Sequence, residues 1–388
     1  MAEREENIVL FPFMAQGHII PFVALALHIE QSKNYTVTLV NTPLNIKKLR
    51  SSLPPNSSIN LLEIPFSSSD YGLPPNTENT DTLPYYQVIQ LVEAGVSLKP
   101  SFKKLIENLT EQQGNPPLCI IADIFFGWTA SVAKELNVFH AIFSGAASSI
   151  HVSQLAITIK EADGANLVGL FGLLGRFFYP QKGKLVLAKK MMQLAMGLEA
   201  SGKNFIWVVR PPIGFDLNSE FKANEWLPEG FEERIKGSKR GLLVHNWAPQ
   251  VDILSHKSVS TFLSHCGWNS VLEALSQGVL IIGWPMAAEQ FFNVKLLEEE
   301  LGVCVELARG KSCEIRHEDI VEKIELVMNE TKKGNEMRRR ACEVMEMIKN
   351  AMKDEEGFRG SSVKALDDFF SAALSMRKKT MKERNIVA

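Results

Sequence analysis

The sequence predicts an α/β protein made of two doubly wound parallel sheets. Short apolar runs alternate with amphipathic ones along most of the chain, the rhythm of βαβ units. The 388 residues exceed what one ordinary core organises, which points to two domains. Several apolar runs end in polar loops that open the next helix, and open parallel sheets bind their ligands at such loops.

In chain order, Asn7 to Phe13 (NIVLFPF) reads as a buried strand. Met14-Ala15-Gln16-Gly17-His18 follows, then a helix from about Ile19 with Pro21 in its first turn, where a missing N–H costs nothing. Tyr35 to Asn41 and Leu61 to Ile64 are the next strands, Ser67 to Leu83 is a polar surface loop, and Val88 to Leu109 is largely helical. Leu118 to Ala122 is a buried strand ending at Asp123, an aromatic run from Phe125 to Trp128 opens a helix, and Phe139 to Phe143 is a further strand. Residues 1–150 therefore form one domain.

Residues 151–190 lack this rhythm and read as an atypical linker segment. Order returns with a helix at Met191 to Ala200 and a strand at Asn204 to Val209, then strands at Leu242 to Asn246, Val259 to Leu263, Val279 to Trp284 and Val303 to Leu307. Helices are expected at Asn269 to Gln277, Ala287 to Leu301, Arg316 to Asn329 and Lys332 to Lys353. Residues 191–370 form the second domain, and 371–388 a basic solvated tail.

Composition narrows the function. Hydrophobic residues make up 45% and charged residues 22%, the proportions of a soluble globular protein. With 42 basic against 44 acidic residues the net charge is −2, so neither nucleic acid nor an anionic membrane is an expected partner. The five cysteines are scattered, which fits a reducing compartment and offers no metal-ligand spacing. No signal peptide is visible, and the apolar run Leu167 to Leu174 is too short to span a bilayer, so a cytoplasmic location is expected.

Two constellations could carry chemistry. His18 and Asp123 each stand just past a strand end, and a carboxylate beside an imidazole makes a competent general base. Spacing alone favours a loop histidine and a helix-capping aspartate that never meet. Ser264-His265-Cys266-Gly267-Trp268-Asn269-Ser270 lies between a strand and a helix, where backbone N–H groups bind phosphate readily. Ser270 with Glu273 also reads as a capping box that needs no ligand, and the two readings can coexist. His265-Cys266 is not a metal site, because adjacent side chains diverge and no further ligands stand at usable spacing. No G-x-G-x-x-G follows a strand and no P-loop is present, which disfavours dinucleotide oxidoreduction and NTP hydrolysis.

The stretch WAPQ…HCGWNS…E…AEQ, Trp247 to Gln290, resembles the signature of plant UDP-dependent secondary-product glycosyltransferases. FPFMAQGHIIP, CIIADIFFGW and RGSSVKALDDFF resemble family segments too. The resemblance covers about 1–150 and 191–370. It implies the GT-B fold, two facing Rossmann-like domains, with the acceptor held by the first and the UDP-sugar by the second, and no metal. It assigns Trp247 to stacking on uracil, the Ala248 backbone to the uracil edge, and Gln250 and Glu273 to the ribose. His265, Asn269, Ser270 and the Gly267 backbone would bind the diphosphate, and Trp268, Glu289 and Gln290 the sugar. Gln290 suggests glucose rather than galactose. His18 would deprotonate an acceptor hydroxyl as it attacks the anomeric carbon, with Asp123 stabilising the imidazolium and inversion giving a β-glucoside.

Family members usually carry more chain between the equivalents of Ile150 and Met191, including the first strand of the second domain and a glycine-serine loop touching the diphosphate. Neither is visible here, and the expectation is that 151–190 supplies no such strand. Two readings follow. One is an inverting UDP-glucose-dependent transferase acting on a small phenolic or terpenoid hydroxyl. The other is a shortened, catalytically impaired relative that binds UDP-sugar or a partner. A UDP-sugar epimerase is a distant third.

Overall fold

The computed structural model describes residues 6–33, 35–83, 85–144, 164–171, 183–209, 223–245, 248–310 and 313–387. The chain divides into two compact units, residues 1–145 with 364–388, and residues 146–363.

The first unit is built on β1 (Glu6–Phe11), β2 (Tyr35–Asn41), β3 (Asn60–Glu63), β4 (Cys119–Asp123) and β5 (Phe139–Phe143). They pair in parallel in the order β3-β2-β1-β4-β5. β1 and β4 are almost wholly buried, which is why they read as continuous apolar runs rather than alternating ones. The order reverses direction between β1 and β4, so the carboxyl ends of these two strands flank the switch point where doubly wound sheets bind ligands. An aromatic cluster supports this edge: Phe11 stacks on Phe102 and Phe126 at centroid distances of 4.7 and 4.3 Å.

The second unit adds β6 (Gly164–Phe171), β7 (Phe205–Val209), β8 (Gly241–His245), β9 (Lys257–Ser264), β10 (Leu280–Gly283) and β11 (Cys304–Glu306). Their order, β11-β10-β9-β6-β7-β8, is that of a dinucleotide-binding sheet, all parallel, with its switch point between β6 and β9. This corrects the sequence expectation for 151–190. A strand is present there, and it is central, pairing with β7 on one side and β9 on the other. Its pairing with β9 shifts register at Leu167, an irregularity that periodicity reasoning could not absorb. The glycine-serine loop sought after this strand lies outside the described residues.

Three further readings change. The helix after β1 begins at Gln16, so Pro21 sits inside it and cannot donate to the Gly17 carbonyl. The loop from Ser67 to Leu83 is not simply surface: Ser68, Thr77, Glu78, Asn79 and Leu83 are buried. The segment read as a tail belongs to one helix, Ser361–Val387, and residues 364–388 group with the first unit. There Asp367 pairs with Lys33, and Arg377 pairs with Glu6 and donates to the Pro116 carbonyl. Phe370 packs on Tyr35 at 4.9 Å and Phe369 on Phe139 at 5.5 Å. Apolar residues at helical spacing within a basic stretch were the missed signal.

Candidate functional site

His18 and Asp123 meet. His18 Nδ1 lies 2.8 Å from Asp123 Oδ2, with the carboxylate fully buried and the imidazole about one quarter exposed. The adjacency of β1 and β4 brings them together, although more than a hundred residues separate them in sequence. Asp123 Oδ1 accepts the Phe125 N–H at 3.1 Å, so the aspartate caps the next turn and holds the histidine with its other oxygen. The expectation that capping excludes contact with His18 is therefore overturned. Phe13 meets the imidazole edge-on at 5.6 Å and Phe125 lies tilted against it at 5.3 Å. The imidazole is thereby held on three sides, with Nδ1 facing Asp123 and two aromatic rings against the ring itself.

In the second unit the loop after β9 carries the other constellation. The helix Trp268–Leu275 has Gly267 as its N-cap and no side-chain cap. The capping-box reading thus fails, because Ser270 already lies in the first turn. The amide Nε2 of Gln250 instead donates to Ser270 Oγ at 3.2 Å and to Glu273 Oε2. Three residues expected to line one site are therefore joined across two helices. Burial raises the Glu273 carboxyl above its ordinary value, and the Gln250 amide partly offsets this.

The loop geometry is tightly specified. Cys266 adopts a left-handed φ of +60°, its N–H donates to Ser264 Oγ at 3.0 Å, and its carbonyl accepts from Asn293 Nδ2 at 2.9 Å. A Cβ on Gly267 would stand 2.5 Å from His265 Nε2, so the bare glycine is what lets the imidazole lie across the helix entrance. Asn293, buried, was missed in the sequence, where a polar residue at an apolar helical position was the available signal; Ser264, also buried, was read as part of the loop but given no role of its own. The sulfurs of Cys266 and Cys304 pack against Gly283, and burial pushes the Cys304 thiol up strongly. Among the described residues no group of three or more His, Cys, Asp or Glu side chains gathers as a metal site.

The residues expected at the sugar behave differently from one another. Trp268 is buried, and its indole N–H has no hydrogen-bond partner among the described residues. Gln290 is buried too, and its Oε1 accepts the N–H groups of Met286 at 2.9 Å and Ala287 at 3.1 Å. Its side-chain carbonyl thus shapes the loop. Glu289, half-buried, is the N-cap of the helix Gln290–Lys295. The Ala248 side chain is buried, and Trp247 lies outside the described residues.

Residues 183–343 match the family profile "UDP-glucoronosyl and UDP-glucosyl transferase". The chain is 42% identical to UDP-glycosyltransferase 92A1 of Arabidopsis thaliana, over 96% of this chain and 98% of that protein. It belongs to the plant UDP-glycosyltransferases. Crocetin glucosyltransferase 3 of Crocus sativus is 36% identical over 86% of this chain and 92% of its own. Two solved structures share the fold. Phytolacca americana UGT2, complexed with UDP-2fluoro-glucose and pterostilbene, has a TM-score of 0.72 and 22% identity, covering 96% of this chain and all of that one. Glycyrrhiza uralensis UGT73P12, complexed with glycyrrhetinic acid 3-O-monoglucuronide, has a TM-score of 0.74 and 20% identity over 98% of each chain.

As a UDP-glycosyltransferase of GT-B fold, the chain takes a UDP-sugar as donor, and enzymes of this type work without a metal cofactor. It is also a short one. The alignment with the Arabidopsis relative runs over 478 positions, more than the 388 residues here, and both ends are covered, so the shortfall is internal. Among the described residues no helix is long and apolar enough to cross a membrane.

Proposed function

We propose that this UDP-glycosyltransferase is an inverting, UDP-glucose-dependent O-glucosyltransferase acting on a hydroxyl of a small lipophilic acceptor, phenolic or terpenoid. The observation that carries the reading is the 2.8 Å bond between His18 Nδ1 and Asp123 Oδ2 at the switch point of the first sheet. With Nδ1 committed to the carboxylate, His18 Nε2 takes the proton from the acceptor hydroxyl as that oxygen attacks the anomeric carbon. The bond from that carbon to UDP breaks, and Asp123 stabilises the imidazolium formed. His265, Asn269 and Ser270 receive the charge developing on the departing diphosphate at a helix N-terminus. Gln250 and Glu273, already hydrogen-bonded together, meet the ribose. Exposed apolar side chains on the segments bearing the dyad, Ile20, Ile124 and Phe125, suit a lipophilic acceptor. The glucose donor and acceptor class are supported by Gln290 at the close of the signature and by a crocetin glucosyltransferase among the relatives. A cytoplasmic location agrees with the scattered free cysteines.

The test is UDP release from UDP-glucose by the purified chain with a panel of phenolic and terpenoid acceptors. Turnover that vanishes in His18→Ala supports the reading; turnover that survives it sinks the assignment of the base. The internal shortfall favours a second reading, a donor-binding protein without transfer activity. Calorimetric binding of UDP with no UDP release on any acceptor would establish that one instead.

A further inference from the structure

The turn that presents His18 is held from outside by the loop 77–80, and this rests on the role proposed for His18. Between β1 and His18 the chain makes a turn whose three carbonyls are all occupied. Pro12 accepts from Asn41 Nδ2 at 2.9 Å, Phe13 from the Ala15 N–H at 2.8 Å, and Met14 from the Thr80 N–H at 3.1 Å. The last of these comes from a segment distant in sequence, and a network of buried amides fixes it in turn. Asn45, fully buried, donates through Nδ2 to Thr42 Oγ1 at 2.9 Å and to the Glu78 carbonyl at 2.6 Å, and accepts at Oδ1 from Asn79 Nδ2 at 2.9 Å. Asn79 Oδ1 caps the turn Thr80–Thr82 by accepting the Asp81 N–H at 3.1 Å. Glu78 Oε2 accepts the Leu44 N–H at 2.7 Å, closing the network onto the helix Pro43–Ser52.

We propose that the Thr80 backbone N–H, set in place by Asn45, Glu78 and Asn79, is a positioning group for His18 in the transfer reaction. A buried polar network this fully satisfied specifies one arrangement, because any alternative leaves an amide unpaired in a dry interior. The arrangement it specifies is that of the Met14 carbonyl, four residues from the imidazole. Misplacing a catalytic group by about 1 Å can cost on the order of 100-fold in rate, so the pin acts on kcat without touching donor affinity.

The fold offers a substitution that breaks the pin. Thr80 is the first residue of its turn, where proline is tolerated. Asn79 before it is extended, at φ −152° and ψ 151°, the conformation a following proline requires. Thr80→Pro therefore deletes the N–H on Met14 and sets the ring Cδ against that carbonyl, so the contact is broken and the loop must move off it, while Thr80→Ala removes the side chain and keeps the N–H. Two readouts are taken: kcat and KM for UDP-glucose with an accepted phenol, and the low-field Nδ1–H resonance of the His18–Asp123 bond in chain bearing isotope-labelled histidine. That resonance is assigned by its loss in His18→Ala.

The expected result is a roughly 10- to 100-fold fall in kcat and a shifted or broadened resonance in Thr80→Pro, with an unchanged KM for UDP-glucose and Thr80→Ala like the parent. Asn79→Asp keeps the cap on Asp81, replaces the donor to Asn45, and should show a smaller effect in the same direction if Thr80→Pro fails to fold. Parent-like kcat and resonance in both Thr80→Pro and Asn79→Asp overturn the proposal. Equal losses in Thr80→Pro and Thr80→Ala, or a kcat loss matched by a rise in the KM for UDP-glucose, overturn it too. If the parent transfers glucose to no acceptor, the proposed activity fails, and the resonance still reports whether Thr80 sets the dyad.

Discussion

Replacing Asp123 by asparagine tests the dyad at its most specific point. The two carboxylate oxygens have different duties: Oδ1 accepts the Phe125 N–H at 3.1 Å and Oδ2 faces His18 Nδ1 at 2.8 Å. An asparagine here has its amide orientation dictated. The backbone N–H of Phe125 requires an oxygen, so the NH2 group must turn toward His18. His18 Nδ1 then becomes an acceptor, the ring proton moves to Nε2, and the nitrogen that should receive the acceptor's proton already carries one. The imidazolium also loses its counter-charge. General-base catalysis contributes about 10²–10⁴-fold, and wrong-tautomer replacement in a comparable dyad costs about 10⁴-fold, or on the order of 5 kcal/mol of transition-state stabilisation. Asp123→Asn should therefore lower kcat by about 10³–10⁴-fold in a UDP-release assay, with the KM for UDP-glucose unchanged. Folding should be nearly unaffected, since the cap on Phe125 survives and a buried charge is removed. A kcat within threefold of the parent would refute the assignment of Asp123, whatever else the reaction requires.

Gly267→Ala forces a Cβ to within 2.5 Å of His265 Nε2, so the imidazole must swing away. Losing one hydrogen bond to a charged group, about 1.5–3 kcal/mol, should weaken UDP binding roughly 10- to 150-fold by calorimetry, and unchanged affinity would remove His265 from the diphosphate site. Glu273→Gln separates stability from binding. Burial raises the Glu273 carboxyl, so the folded chain holds its proton more tightly than the unfolded one. Stability is then lost as pH rises from the unfolded-state value, near pH 4.3, through the folded one. The variant should melt higher than the parent at pH 7, lose that advantage below about pH 4, and bind UDP more weakly; a lower melting temperature at pH 7 would contradict the burial argument. His18→Ala should abolish UDP release while leaving UDP affinity intact, and residual turnover would shift the proton transfer to another group.

The sequence by itself determined the alternation of strands and helices, two parallel domains, and the polar loops at their strand ends. Apolar period, length and punctuation are local properties that survive in a single chain. It also marked Trp247–Gln290 as resembling the glycosyltransferase signature, because a motif carried on contiguous residues leaves a contiguous trace. Only the tertiary structure decided that Asp123 reaches His18, since strand order is not written in strand composition: β4 could have paired with any neighbour, and its place beside β1 converts two common loop residues into a dyad. The structure likewise decided that Gln250, and not a capping box, engages Ser270 and Glu273, because a cap depends on which residue starts the helix. It placed a strand at Gly164–Phe171 where glycine-interrupted apolar sequence had read as linker, the pairing with β7 and β9 overriding a weak local preference. And it joined a polar loop to the turn before His18, through the Thr80 N–H on the Met14 carbonyl, since the Asn45 and Asn79 amides gain their meaning from being buried together, a property no stretch of sequence displays.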